Sequence, residues 1–378
     1  TGVTRAHHAI SVALKTLAVA ALGVLSFFFL GAALAFGPSV HGIFGNPLLF
    51  NAAAVDAEQL PRLFFLFTVF LLVPALPLGA MAGRMRFPAY LLYALFVSCA
   101  VVPLAFKWVW GSSLDVSAAG WLERLGFHDA CGAAAVHVVG GALAFAGALA
   151  LGPRLGKYGN DGKPRPMPGH QLLLAALGSF ILYIAWPFYL GGFQGSFEAR
   201  HCLDVTLAAL LTAASGFFGS LLPSWLITRK ADAPFALNGI LAGLVCVCAC
   251  PAWFSPLEAV LTGFLSGALV VGGVLFIEMV PRVDDPAGTI SVHGVCGLVG
   301  SLAPGLLDPE HGLLHGGGWH QLGIQALGAA TLACFAFASL YLFLRLLRLL
   351  MRLRVRPMEE LRGLDISEHG MEAYSGFQ

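Results

Sequence analysis

The chain has 378 residues, of which 58% are hydrophobic and only 11% charged, and its mean hydropathy is +0.82. Soluble domains carry about 25% charged residues, so this composition excludes a soluble globular protein and points to an integral membrane protein. The formal net charge of +1, with no basic block, gives nucleic acid or an acidic macromolecular partner nothing to hold.

Ten apolar segments predict membrane spans, at 9–36, 63–82, 90–106, 130–151, 172–192, 203–227, 235–250, 257–277, 290–307 and 322–347. The fold class is therefore all-α, a polytopic membrane protein. Thr1 is not an initiator, so the chain is expected to begin partway through a longer product. Phe64, Phe65 and Phe67 open the second segment, and Arg84 and Arg86 follow it. Trp108 and Trp110 end the third, and Asp129 stands at the head of the fourth. Arg154, Lys157, Lys163 and Arg165 follow the fourth segment, and Arg229 and Lys230 the sixth. The seventh holds Cys246, Cys248 and Cys250, read as small packing residues because no Cys-x-x-Cys framework accompanies them. Residues 345–356 add five arginines after the tenth. Basic connections face the cytoplasm, which places both visible ends there. The loops holding Asp56, Glu58, Asp115, Glu123 and Glu198 face outside. One transmembrane domain is expected over 1–347, followed by a polar cytoplasmic tail over 348–378.

Two stretches are the same stretch twice. Asp129, Gly132, Val136, His137, Val139 and Gly141 reappear at equal offsets as Asp285, Gly288, Val292, His293, Val295 and Gly297. Each histidine follows its aspartate by eight residues, roughly 12 Å of helix, which is close to the middle of a hydrocarbon core about 30 Å thick. Asp129 closes an outside loop and Asp285 an inside one, so the copies enter from opposite faces, as inverted transporter repeats do. Histidine at that depth is costly and marks function. A facing pair can share a proton, accept one from a substrate or ligate a cofactor. The neighbouring segments hold no Cys/His/Glu cluster at ligand spacing, which favours a proton or amine pathway and no cofactor. Asp129 and Asp285 are expected just inside their helices, mainly as N-terminal caps, and Asp284 as a solvated partner of Arg282. The outer aromatic residues can form a cup that attracts a small cation through its ring faces.

The runs at 129–137 and 284–297, Arg84 to Phe87, Trp108 to Gly111 and Gly363 to Gly370 together resemble the ammonium transporters of the Amt/Mep/Rh family, over essentially the whole chain. The resemblance implies an eleven-span ammonium-transporter fold, assembled as a homotrimer with one hydrophobic pore per subunit and located in a cell membrane. Ten spans are visible because the family's first is missing here. His137 and His293 match the pore's twin histidines, Trp110 and Asp129 the outer recruitment site, and Phe65 the outer gate phenylalanine; Asp285 is the inner structural carboxylate. A second gate phenylalanine is expected near Asp204 to Leu207, where none stands out. Leu66, Gly83 and Leu190 replace polar residues usual in the family.

The function expected is channel-like passage of ammonium or ammonia rather than enzyme catalysis. Deprotonation would precede entry, because a bare cation in an apolar pore is prohibitively costly. The alternative is an ammonium sensor, supported by the end of the tail from Met371 to Gln378, which resembles the joint to a fused signalling domain. A third reading makes His137 and His293 axial haem ligands. The partners implied are ammonium or ammonia, the lipid bilayer, further copies of the chain, and a PII-type regulatory protein or a fused cytoplasmic signalling domain. Glu359, Glu360, Asp365, Glu368 and Glu372 are expected to dock the tail on the basic connection from Arg154 to Arg165.

Overall fold

The computed structural model describes residues 1–51, 55–194 and 198–374. Among them, nine helices are long and apolar enough to cross a membrane, and a shorter apolar helix makes a tenth. In order they are span 1 (Ala6–Phe36), span 2 (Leu60–Met81), span 3 (Phe87–Ser113), span 4 (Ala133–Leu151), span 5 (Leu172–Phe193), span 6 (Ala199–Thr228), the short span 7 (Ala233–Ala249), span 8 (Pro256–Met279), span 9 (Ile290–Leu307) and span 10 (His320–Leu350). Proline in the first turn starts the helices at Leu60, Phe87, Ala233 and Pro256, where its missing N–H costs nothing. Span 3 runs beyond its expected limits at both ends, and a π-turn at Val97–Val101 lies within it, just ahead of Pro103.

Spans 4 and 9 form the centre. Within their most apolar stretches 83% and 61% of residues are buried, against 11% in span 5. They cross through glycine: a Cβ on Gly141 would strike the backbone of Gly294, and one on Gly297 would lie 3.1 Å from the amide nitrogen of Val138. Gly141 and Gly297 are repeat counterparts, and so are Val138 and Gly294, each pair at the 156-residue spacing of the histidines. The repeat thus exchanges the two contacts, which is the signature of a two-fold pseudosymmetry axis through the crossing. The spans are antiparallel. Arg154, just beyond the end of span 4, holds Asp284 in front of span 9. At the opposite face, Gln325 of span 10 donates both to the carbonyl of His128 ahead of span 4 (2.7 Å) and to that of Ser301 in span 9 (2.8 Å).

Asp284 is not the solvated partner of Arg282 expected from sequence. It is 1% exposed and accepts from Arg154 through the backbone N–H (2.9 Å), Nε (2.8 Å) and Nη2 (2.8 Å). Arg84 donates to its main-chain carbonyl at 2.8 Å, while Arg282 lies over Gly162. The buried carboxylate takes two guanidinium partners because one would not offset its desolvation.

The tail docks, though by contacts other than the expected ones. Met85 and Arg354 form a β-bridge, with Arg86 N donating to Leu353 O at 2.9 Å and Val355 N to Arg84 O at 3.0 Å. Two short helices follow, Pro357–Arg362 and Leu364–His369. Asp365 accepts from the amides of Ile10 (3.1 Å) and Ser11 (2.8 Å), and Glu368 from that of Phe87 (2.7 Å). Each carboxylate therefore caps the start of a span, where orphan amides and the helix dipole favour negative charge. Of the tail acids, Glu360 reaches the predicted connection, accepting from Leu155 N at 2.7 Å, and it is ion-paired to Arg354 within the tail itself. Of the expected joint after Met371, residues 375–378 lie outside the described residues.

Candidate functional site

Each central histidine sits in a single π-helical turn, His137 in Ala133–Val138 and His293 in Ile290–Val295. Such turns are rare and concentrate at functional sites. Both are entered through a glycine in the left-handed region, Gly132 at φ +91° and Gly288 at φ +72°, a conformation that a side chain would strain. Asp129 and Asp285 stand before these turns rather than inside them, which corrects the sequence expectation. The Asp129 carboxylate accepts from the amides of Gly132 (3.0 Å), Ala134 (2.9 Å) and Ala135 (2.8 Å), and that of Asp285 accepts from Ile290 at the same offset as Ala134 (2.6 Å). Burial pushes both carboxyls up to about 6, against the downward pull of these amides.

The caps bring the two histidines together. His137 is 2% exposed, and its Nδ1 lies 3.2 Å from Nδ1 of His293, with the rings 15° from parallel and centroids 5.1 Å apart. Two neutral imidazoles in this contact share one proton, one Nδ1 donating and the other accepting. His137 Nε2 is buried with no partner among the described residues, and Trp186 of span 5 stacks on the same ring at 5.6 Å. Axial ligation of a haem would place iron between the two nitrogens, roughly 4 Å apart for two bonds of about 2 Å. The two Nδ1 atoms, already in hydrogen-bond contact at 3.2 Å, do not fit that arrangement.

Towards the Asp129 end, Trp110 Nε1 donates to the main-chain carbonyl of Asp129 at 2.7 Å. One residue thus caps span 4 with its carboxylate and fixes the indole with its carbonyl. Phe193 is the hub of the aromatic group here, with ring centroids 5.0 Å from Phe65, 4.8 Å from Trp110 and 5.3 Å from Tyr189. Tyr189 also donates its hydroxyl to Cys131 O at 2.9 Å. Sequence reasoning sought the second aromatic partner of Phe65 near Asp204 to Leu207 and so missed Phe193 and Tyr189. The missed signal was helical spacing, since Trp186, Tyr189 and Phe193 recur at three and four residues along one face of span 5. Lys107, fully buried one turn before Trp110, was missed as well. Its ammonium donates to Gly37 O (2.8 Å) and Ala118 O (2.6 Å), tying the end of span 3 to two loops.

The other predicted aromatic residues do not converge. Phe64 is 66% exposed, Phe67 packs on Phe27, and Trp108 donates to Ile43 O and lies against Phe335. Leu66 and Leu190 are fully buried, and Gly83 adopts φ +77° with the His8 ring 3.0 Å from where its Cβ would stand. Cys246, Cys248 and Cys250 are buried free thiols, and the described residues contain no cluster of three metal-ligating side chains.

The Ammonium Transporter Family model matches residues 1–374. The chain belongs to the ammonium transporter family. It is 34% identical to ammonium transporter Amt2 of Archaeoglobus fulgidus, across 100% of this chain and 83% of the relative. With ammonium transporter 1 member 3 of Solanum lycopersicum it shares 30% identity, across 100% and 88%. A solved structure titled Sensor Amt Protein superposes with a TM-score of 0.92 at 34% identity, covering 97% of this chain and 92% of the other. Mep2 of Candida albicans superposes at 0.85 with 23% identity, across 99% and 85%, a likeness of fold. In this ammonium transporter fold the histidine pair lies where the two repeats cross, and the aromatic group lies on the Asp129 side of it.

Proposed function

We propose that this protein carries ammonium or ammonia across a membrane through a hydrophobic path that runs past Phe65, Phe193, His137 and His293. The observation that carries the reading is the 3.2 Å contact of two buried imidazoles at the crossing of inverted repeats. Ammonium is recruited beside Trp110, whose indole is fixed by Asp129, and sheds its water against the ring faces. Loss of a proton there makes entry affordable in an apolar path. Ammonia then passes the Phe65–Phe193 gate and hydrogen-bonds to the imidazole pair, which also offers a proton a relay. Asp285 supports the second histidine from the opposite face, as Asp129 supports the first.

The assembly is a homotrimer in a cell membrane, with the transmembrane part ending at residue 347 and the tail from 348 in the cytoplasm. The positive charge of the connections on the Arg84 and Arg154 side supports the cytoplasmic placement, and the homotrimer follows the resemblance to the family. That face and the tail are where a PII-type regulator or a fused signalling domain would bind. Sensing is the second reading, favoured by the solved structure titled a sensor. Transport is the conclusion because the family model and the curated relatives are ammonium transporters.

The test uses the full chain in liposomes, measuring ammonium-evoked current and uptake for wild type, His137→Leu and His293→Leu. Wild type conducts, and each variant assembles but loses charge movement or changes selectivity, since leucine fills the volume without a relay. Unchanged currents in both variants would remove the proposed role of the pair. A silent wild type whose tail responds to ammonium in hydrogen exchange would favour sensing.

A further inference from the structure

Gln325 lies near the start of span 10 and is fully buried. A polar side chain inside a membrane span is costly and marks function. Its carboxamide is saturated. Oε1 accepts from the His128 amide at 2.8 Å and from Gln321 Nε2 at 3.4 Å, while Nε2 donates to His128 O at 2.7 Å and to Ser301 O at 2.8 Å. That uses both donors and both acceptor positions of the side chain.

One bond from span 10 is enough to fasten the connection ahead of span 4. Gln325 makes two to the same residue, and a two-point grip fixes orientation as well as position. The carbonyl of His128 and the amide of Asp129 belong to one planar peptide unit, so holding the first sets the plane from which Asp129 starts. The His128 ring is held too, stacked on Trp253 with centroids 4.4 Å apart. Beyond Asp129, Ala130 N donates to Ala249 O and Cys131 N to Cys248 O, both at 2.8 Å. Asp129 is therefore clamped between span 10 on one side and the end of span 7 on the other. Its carboxylate and carbonyl cap span 4 and hold the Trp110 indole.

We infer that Gln325 is a positioning residue for ammonium recruitment: through the His128 peptide it sets the Asp129 carbonyl, and through that carbonyl the Trp110 ring. Gln325 itself touches no substrate. The inference rests on the recruitment role proposed for Trp110 and adds span 10 to the elements that shape that site.

The test measures KM and maximal rate of ammonium uptake by the full chain in liposomes. The proteins are wild type, Gln325→Met, Trp110→Phe, Trp110→Leu and Gln325→Met/Trp110→Phe, with Gln321→Ala as a control. Methionine keeps a similar length and volume and loses the grip on His128. The net worth of one hydrogen bond predicts that Gln325→Met raises KM about 2- to 10-fold, with the maximal rate within about twofold of wild type. In the Trp110→Phe background, where the indole bond is already gone, the same substitution should leave KM unchanged. A merely structural residue would instead lower the rate or the yield of folded protein, and its effect would add to that of Trp110→Phe. Gln321→Ala should match wild type, because it gives up the bond to Gly126 O and only the longest of the four made by Gln325.

An unchanged KM in Gln325→Met, or additive effects in the double variant, would overturn the inference. Trp110→Leu separates that failure from failure of the recruitment reading, which stands if leucine raises KM above phenylalanine and falls if the two are equal. Should Gln325→Met fail to fold, Gln325→Glu carries the same cycle, since it keeps the acceptor oxygen and the volume but not the amide donors. Failure of both to fold would return Gln325 to a structural role and overturn the inference as well.

Discussion

At the residue scale, Asp129 shows how one side chain sets two parts of the site. Its carboxylate takes the amides that open span 4, and its carbonyl takes the Trp110 indole. Comparing Trp110→Phe with Trp110→Leu separates the ring from the hydrogen bond, since both lose the bond and only leucine loses the aromatic face. A cation–π contribution of about 0.5–2 kcal/mol predicts that leucine raises the apparent KM for ammonium about 2- to 30-fold above phenylalanine. Equal KM values would return Trp110 to a purely structural role. Phe193 calls for a different experiment because it touches three rings at once. Each aromatic pair is worth about 0.5–1.5 kcal/mol, so if the group acts as the proposed gate, parting three such contacts costs more than 1 kcal/mol. Phe193→Ala should raise the maximal ammonium flux into liposomes by about tenfold while relaxing discrimination against methylammonium. Slower flux with intact folding would mean the ring guides substrate rather than blocking it.

At the scale of elements, the tail is held by helix starts. Asp365 sits on the amides of Ile10 and Ser11, where the α-helix of span 1 begins, and Glu368 on that of Phe87 at the head of span 3, with Lys15 3.6 Å from Glu368. Caps of this kind are worth about 1 kcal/mol each. Asp365→Ala should release Leu364–His369 from span 1 and speed amide exchange there about fivefold or more, while the spans stay protected. Exchange identical to wild type would show that the buried Leu364, rather than the carboxylate, holds the tail. The two histidine-bearing π-turns obey the same logic, because each opens a helix whose free amides the preceding aspartate accepts.

At the scale of the whole molecule, the Arg84–Asp284–Arg154 cluster joins the connections after spans 2 and 4 to the start of span 9. Burial raises the Asp284 carboxyl, but the Arg154 hydrogen bond and the charges of Arg84 and Arg154 outweigh it and hold the group at about 2. A folded-state value below the unfolded one gives stability that is complete above about pH 4 and is lost as pH falls towards 2, about 2 kcal/mol in all. Asp129 and Asp285, raised to about 6, act in the opposite sense, favouring the fold less as pH rises towards 6. Thermal melting against pH in detergent should show the acid limb in wild type and not in Asp284→Asn. That variant should also melt lower at neutral pH, because two buried guanidinium groups lose their carboxylate. An acid limb that persists in it would assign the loss to other carboxylates.

Composition and hydrophobic period are properties of the chain itself, because a bilayer demands apolar helices of a set length wherever they end up. The ten spans were therefore legible, and so were the repeated Asp–Gly–His motifs, since backbone geometry at Gly132 and Gly288 tolerates little else. What sequence could not supply was partner choice across distance. Asp284 lies two residues from Arg282, yet it turns to Arg154 and Arg84 because these converge on a buried point where two charges are needed. Phe193 joins Phe65 for the same reason: spans 2 and 5 meet there, and which faces meet is decided by packing. The tail acids likewise found helix starts rather than basic side chains, because amides left unpaired at a helix end are fixed in space only once the helices have assembled.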